Sequence, residues 1–243
     1  MNIALIGYGG MGQAVGRIAA ERDHTVKAII DPGHEDSSHK ELSVEALEDC
    51  DIAIDFSGAQ SVMGNVRICK EAGVALVEGS TGWYDDMAEI EKVAEGGSML
   101  WSSNFSIGVN LYFKMIENAS QLINGFDEYD VWGHEIHHNK KADSPSGTAK
   151  TIEDILLRNI DRKTSVVEDK LDRRREDNEI HFSSLRGGQV NFEHTIGFDS
   201  AADTIKISHS ARNRDGYALG AVKAAEWLKG KTGFFSMNDF LNL

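Results

Sequence analysis

The chain opens 2-NIALIGYGGMGQAVGRIAAERDHTVKAIID-31, and this stretch decides the fold of the first half. Residues 3–6 read as a buried strand, and Gly7-x-Gly9-x-x-Gly12 follows without a gap. Met11, Val15, Ile18 and Ala19 then recur at helical spacing, and Thr25–Ile30 reads as a second strand ending in Asp31. Gly7 permits a tight turn, Gly9 lets backbone approach a pyrophosphate, and Gly12 lets the helix pack on the strand. The helix N-terminus offers free N–H groups to phosphates, and Asp31 can accept from the adenine ribose hydroxyls. A lone G-x-G-x-x-G means little in a chain with 24 glycines. Strand, glycines, helix, strand and acid in the correct order make a dinucleotide fingerprint, against the plainer reading of a βαβ unit whose glycines only serve packing.

The pattern repeats outward from there. Asp51–Phe56 is a strand ending in Ser57-Gly58, with helix expected over Ser61–Ala72. Val74–Val77 is a strand ending in 79-GSTG-82, followed by helix over Asp86–Ala94. Ser98–Trp101 ends in 102-SSNFS-106. Small polar residues therefore follow each strand, where ligands bind in an open parallel sheet. The fold class expected is α/β: a doubly wound Rossmann-type dinucleotide domain over 1–107, completed by 214–243, plus an α+β substrate-binding and oligomerisation domain over 108–213 with an open mixed sheet.

In the second half Leu111–Leu122 reads as helix, and Tyr129–His138, Ile180–Leu185, Gln189–Phe198 and Asp203–His209 alternate like half-buried strands. Asp215–Lys229 returns to helix. Asp161–Glu179 is expected to be flexible, and Arg173-Arg174-Arg175 within it to be a solvated surface run.

The segment 134-HEIHHNKKADSPSGTAK-150 contains H-E-x-x-H, a zinc-protease pattern. That pattern needs a helix, which puts i and i+4 on one face. Here Tyr129, Val131, Gly133, Glu135 and His137 alternate with Asp130, Trp132, His134, Ile136 and His138, which is strand periodicity. On a strand His134 and His138 would stand about 13 Å apart, too far to share a metal. No metal site is expected. Asp143–Thr148 reads instead as a helix start, with Asp143 or Ser144 as cap and Pro145 in the first turn. The N–H groups near Gly147 and Thr148 would form an anion site facing His137, His138 and Lys141, suited to a carboxylate-bearing substrate beside a titratable donor. The plainer alternative is a basic turn that caps a helix.

Hydrophobic residues make up 41% and charged residues 26% of 243, as in an ordinary globular protein, and the formal net charge is −14. Such a chain has no broad basic surface for nucleic acid. No apolar run approaches the ~20 residues that span a bilayer. The short apolar run before Gly7 is not a signal peptide. Cys50 and Cys69, in no CxxC spacing, suit a reducing cytoplasm.

Glu135, His137, His138, Lys141, Asp143, Pro145, Ser146, Gly147, Thr148 and Ala149 match E-x-H-H-x-x-K-x-D-x-P-S-G-T-A, the signature of the dihydrodipicolinate reductase family, which this chain resembles over nearly its whole length. IGYGGMG, GSTG at 79–82, SNFSIGVN at 103–110, SLRGG at 184–188, EHTIGF at 193–198 and HSARNRDGYALGAVKAAEWL at 209–228 also resemble family segments. The resemblance implies reduction of 4-hydroxy-tetrahydrodipicolinate in lysine and diaminopimelate biosynthesis: hydride from NAD(P)H to C4 of the ring, with loss of water. It implies His137 as proton donor and acceptor and Lys141 as second donor, with His138, Gly147 and Thr148 on the substrate carboxylates. Cofactor contacts carry over to Gly7, Tyr8, Gly9, Gly10, Met11, Gly12, Asp31, Gly79, Ser80, Thr81, Ser102, Ser103, Asn104 and Phe105. A homotetramer built on the substrate-domain sheets is also implied.

The chain departs from many members in two places: its glycine loop is one residue shorter and lacks their Arg, and Phe192 precedes Glu193-His194 where they have Gly. Asp31 would repel a 2′-phosphate, and Pro32-Gly33-His34-Glu35-Asp36 supplies no Arg or Lys before Lys40. NADH is therefore the expected preference, with NADPH accepted as well. The rivals are another two-domain amino-acid dehydrogenase, which has no reason for HH-x-x-K followed by S-G-T, a dinucleotide sensor without catalysis, and a zinc hydrolase.

Overall fold

The computed structural model describes residues 1–243. In chain order, β1 (Asn2–Ile6), α1 (Gly10–Glu21), β2 (Thr25–Ile30), β3 (Ile52–Asp55), α2 (Val62–Ala72), β4 (Ala75–Glu78), α3 (Met87–Ala94) and β5 (Ser98–Trp101) come first. Then follow α4 (Ile107–Ile123), β6 (Asp130–His137), α5 (Gly147–Asn159), β7 (Ser165–Val167), β8 (Glu179–Arg186), β9 (Phe192–Asp199) and β10 (Thr204–Ala211). The chain ends with α6 (Asp215–Leu228), β11 (Gly233–Ser236) and α7 (Met237–Leu241). Two compact units result: Met1–Ile107 with Arg214–Leu243, and Gly108–Asn213.

The first unit is a parallel six-stranded sheet in the order β11-β5-β4-β3-β1-β2. Its strands are apolar on both faces because helices cover both. Ile3, Leu5, Ile52, Ile54 and Leu100 pack with Val15 and Ala19 of α1 and with Ala221, Val222 and Leu228 of α6. Their neighbours Ala4, Ile6, Ala53, Leu76 and Met99 point the other way, onto Val66 and Cys69 of α2 and Ile90 of α3. The edge strand β11 and the helix α7 that follows it lie beyond the last helix read from the sequence.

The second unit is a mixed sheet in the order β10-β9-β6-β8-β7. β9 runs antiparallel to both neighbours, while β6, β8 and β7 are parallel. Tyr112 and Ile116 of α4 and Ile152 and Leu156 of α5 bury Val131, Ile180, Phe182, Ile196 and Phe198 on one face. On the other face Lys206 lies 5.6 Å over the Trp132 ring.

Three local expectations need correction. The helix cap is Ser146 and not Asp143 or Ser144: its backbone is extended, and its Oγ accepts the Ala149 N–H. Residues 189–191 are not strand, since Gly188 turns the chain at φ +55° and β9 begins at Phe192. The segment 161–179 is fastened rather than loose: β7 pairs with β8, and the buried Lys163 Nζ donates to Asp130 Oδ1 at 2.6 Å. The arginine run belongs to that fastening. Arg173 forks onto both Glu179 oxygens at 2.9 and 2.6 Å, and Arg175 pairs with Asp130.

Candidate active site

In the first unit the glycine loop has the geometry its spacing requires. Gly7 sits at φ +81°, and a Cβ there would meet Phe56 O at 2.7 Å. A Cβ on Gly12 would lie 2.1 Å from Gly7 O, so only glycine lets α1 start this close to β1. Around Gly9 nothing lies within 4 Å of a Cβ position, which leaves backbone open to an incoming phosphate. Asp31, at the end of β2, does more than wait for a ribose. Its Oδ2 accepts the Tyr8 N–H at 2.8 Å, and its Oδ1 accepts from Gly33 and His34 at 2.8 and 3.0 Å. The Tyr8 N–H foremost, then those of Gly33 and His34, hold the Asp31 carboxyl below its ordinary range. Asp31 thus braces the glycine loop through its carboxylate.

The other candidate cofactor residues follow β4 and β5. Gly79, Ser80 and Thr81 leave β4, with Ser80 O accepting from Trp83 Nε1 at 2.8 Å. After β5, Ser102 Oγ donates to Asn104 O at 2.8 Å and accepts its N–H at 3.0 Å. Ser103 is exposed. The Phe105 side chain lies in the core, so that residue offers a ligand only its backbone. Gly10 and Met11 begin α1. Gly7–Gly9, the start of α1 and Asp31 provide a left-handed turn, an open N-terminal helix turn and an acid beyond β2, the features of a dinucleotide-binding βαβ unit.

In the second unit, β6 buries Val131, Gly133, Glu135 and His137 and turns Trp132, His134 and Ile136 outward. His134 therefore does not join His137, and the H-E-x-x-H pattern has no helical meaning here. What gathers round His137 is a set the motif does not announce. Its Nε2 lies 3.0 Å from Glu135 Oε2, and His194, opposite Glu135 in the β6–β9 register, brings its Nε2 to 3.2 Å from the same oxygen. Glu135 Oε1 accepts from Ser146 N at 3.0 Å, Ser184 Oγ at 2.8 Å and Arg186 Nη2 at 2.8 Å. Glu135, His137 and His194 offer ligand atoms within 4.8 Å of one another. With the Arg186 guanidinium on its other oxygen, however, Glu135 is the centre of a hydrogen-bond cluster and not a cation cage.

Burial pushes the Glu135 carboxyl up, but donors from His194, Ser146, Arg186 and Ser184 outweigh it and hold the group well below the carboxylate range. Burial likewise pushes His137 down, against the pull of Glu135.

The rest of the site follows His137 directly. His138 is half-buried, and its carbonyl accepts the Lys141 N–H at 3.2 Å. The Lys141 ammonium lies between the two Asp143 oxygens at 2.7 and 2.9 Å, and it holds the Asp143 carboxyl below its ordinary range. Arg186 also donates to Asp143 O at 2.7 Å, linking the lysine turn to the Glu135 cluster. Gly147 and Thr148 are the first two residues of α5, where backbone N–H groups have no partner within the helix. Through the Ser146 N–H, Glu135 fixes that helix start against the strand that carries His137. The roles of Glu135 and Ser146 had a faint signal in the sequence, the i, i+2 spacing on a strand and the Ser-Gly-Thr start. Arg186 and His194 lie in the family-like segments SLRGG and EHTIGF, but their meeting with Glu135 comes from strand pairing, which no local pattern announces.

Comparison with known proteins gives one answer. Residues 1–105 match the family model described as dihydrodipicolinate reductase, N-terminus, and residues 108–241 match that described as dihydrodipicolinate reductase, C-terminus. The 4-hydroxy-tetrahydrodipicolinate reductase of Christiangramia forsetii is 38% identical over 244 residues, covering 100% of this chain and 98% of the relative. That of Archaeoglobus fulgidus is 38% identical over 201 residues, covering 79% and 76%. Among solved structures, the dipicolinate-bound dihydrodipicolinate reductase from Paenisporosarcina sp. TG-14 superposes with a TM-score of 0.74 at 21% identity, covering 97% of each chain. A probable dehydrogenase from Thermotoga maritima does so at 0.58 and 15%, covering 99% of this chain and 92% of its own. Both structural likenesses speak to the fold.

Proposed function

The chain belongs to the dihydrodipicolinate reductase family, and we propose how its own residues divide the reaction. The activity is reduction of 4-hydroxy-tetrahydrodipicolinate to tetrahydrodipicolinate, in lysine and diaminopimelate biosynthesis, with a nicotinamide dinucleotide as reductant. A bound reduced nicotinamide supplies the hydride. Gly7–Gly12 seat the diphosphate, Asp31 holds the ribose, and Gly79–Thr81 and Ser102–Phe105 hold the remainder of the cofactor.

In the second unit the Gly147 and Thr148 N–H groups and His138 bind the substrate carboxylates. His137 moves the proton, with its Nε2 fixed by Glu135 and its other ring nitrogen left for the substrate. Lys141 is the second donor. In this structure its ammonium is held by Asp143, so an incoming carboxylate competes with Asp143 for that charge. The observation that carries this reading is the buried Glu135, which joins the His137 strand to the α5 start through one carboxylate.

The test is inhibition by pyridine-2,6-dicarboxylate, a planar dicarboxylate. His138→Ala and Thr148→Pro, the second of which deletes one N–H, should each raise its inhibition constant about tenfold. Unchanged inhibition in both variants would remove the carboxylate site from α5.

NADH is the preferred cofactor, with NADPH also used. The Asp31 carboxylate braces the loop through the Tyr8 N–H, and Lys40 is engaged at 2.8 Å by His34 O and at 2.7 Å by Ser37 Oγ. The ratio of kcat/KM for the two cofactors at one salt concentration tests this, and a clear NADPH advantage would contradict it. Assembly as a homotetramer uses the sheet face opposite α4 and α5, which carries Trp132, Ile136 and the exposed Leu185. Sedimentation of the purified protein decides that assembly. The compartment is the cytoplasm, in keeping with two free thiols. No helix is long and apolar enough to cross a membrane.

A further inference from the structure

Asp55 and Glu78 end the neighbouring strands β3 and β4 and stand opposite each other in register. Both are completely buried. Each carboxylate holds the loop that leaves its own strand: Asp55 Oδ1 accepts the Ser57 N–H at 2.7 Å, and Glu78 Oε1 accepts the Ser80 N–H at 2.7 Å. Asp55 Oδ2 accepts a second donor, Asn65 Nδ2 of α2, at 2.6 Å. Glu78 Oε2 is buried with no donor, although the Asp55 carboxyl is within hydrogen-bonding reach. Two adjacent carboxylates cannot both ionise in an apolar interior without a cation. The titratable groups that bear on the pair from the elements around it are Cys69 of α2 and Tyr84 in the turn after β4, and neither carries positive charge.

We propose that Asp55 and Glu78 share one proton, carried on Glu78, and that this protonated pair positions the loops at 57–58 and 79–81 for the dinucleotide. The proton is the partner that Glu78 Oε2 otherwise lacks. It belongs to Glu78 because Asp55 accepts two donors that favour its ionised form, whereas Glu78 accepts one. Burial raises both groups, and the Asp55 charge raises Glu78 further. The shared hydrogen bond ties the ends of β3 and β4 together at the sheet edge that receives the cofactor. Loss of the proton would leave two buried negative charges beneath a site that must take a diphosphate. The inference rests on the reading that 79–81 contact the dinucleotide.

Substitution of the two partners separates this from a merely structural role, because the isosteric changes should be unequal. Glu78→Gln keeps an acceptor for Ser80 and supplies a permanent donor to Asp55, so NADH affinity should stay within about threefold of wild type. Asp55→Asn sets an amide donor against Ser57 N–H or Asn65, and affinity should fall about tenfold. Raising the pH should weaken NADH binding to the wild type as Glu78 gives up its proton, and should leave this pair's contribution in Glu78→Gln flat. Infrared spectra of the wild-type protein at neutral pH should show a protonated-carboxyl C=O band that Glu78→Gln removes. If no such band is lost, or if Asp55→Asn binds NADH as well as Glu78→Gln does, the inference is wrong. A wild-type protein that binds no NADH would overturn the dinucleotide reading and the positioning role with it, which tells the two failures apart.

Discussion

Replacing Glu135 by glutamine should strike the reaction without touching the cofactor. The carboxylate faces five donors: Ser146 N–H, Ser184 Oγ and Arg186 on Oε1, and His137 and His194 on Oε2. The amide oxygen will stay with the three donors on the Oε1 side, which turns its NH2 toward the two imidazoles. His137 Nε2 must then accept instead of donate, and the ring proton moves to Nδ1, the nitrogen that the proposed mechanism leaves for the substrate.

Two magnitudes follow. Losing a hydrogen bond to a charged group costs about 1.5–3 kcal/mol of stability, seen as a lower Tm. Mis-set general acid–base catalysis is worth 10²–10⁴-fold, and a wrong tautomer with the ring still in place should cost roughly 10²-fold in kcat. The pH profile adds a sign. Burial already depresses His137, and Glu135 opposes that, so removing the charge lowers it further. An activity that needs protonated His137 is lost as pH rises through its pKa, and the alkaline limb of kcat should therefore move to lower pH. Steady-state oxidation of NADH across pH, with NADH affinity measured by fluorescence titration, is the assay. Unchanged kcat with an unmoved alkaline limb would refute the assignment of Glu135 as the residue that sets His137.

Three further outcomes are expected. His137→Ala and Lys141→Ala should each lower kcat by roughly 10²–10⁴-fold with NADH affinity intact, and near-full activity in both would undo the catalytic assignment. Gly12→Ala places a Cβ 2.1 Å from Gly7 O, so overpacking should cost about 1–3 kcal/mol in melting experiments and weaken NADH binding. Asp31→Asn forfeits one accepting oxygen of a carboxylate that now takes three backbone N–H groups. The NADH-over-NADPH ratio of kcat/KM should fall about 5–30-fold, the equivalent of ~1–2 kcal/mol. A ratio unmoved by that change would show that Asp31 braces the loop and reads no ribose.

What the sequence disclosed follows physical rules. Local periodicity is written in the chain, so β1 through β5, the glycine loop and the strand character of 130–137 were legible, and with them the dismissal of H-E-x-x-H. Pairing between distant strands is not written there. His194 meets Glu135 only because β9 lies beside β6, and Arg186 only because β8 lies on its other side. β7 is not legible because three residues among charged neighbours carry no period, and β11 because a strand of four at a sheet edge needs its partner β5 to exist. The helix cap lies two or three residues beyond the sequence expectation because Asp143, Ser144 and Ser146 are all good caps, and the choice among them rests on tertiary contacts such as the one between the Ser146 N–H and Glu135.

An enzyme of this family turns over, rather than merely binds, a dinucleotide and a cyclic dicarboxylate. Mixing the purified protein with NADH and 4-hydroxy-tetrahydrodipicolinate, freshly made in a coupled reaction from aspartate semialdehyde and pyruvate, tests it directly. NADH absorbance should fall in a way that depends on both substrate and enzyme, and the fall should disappear with His137→Ala. NADH binding without any consumption on that substrate would contradict it and favour a dinucleotide sensor.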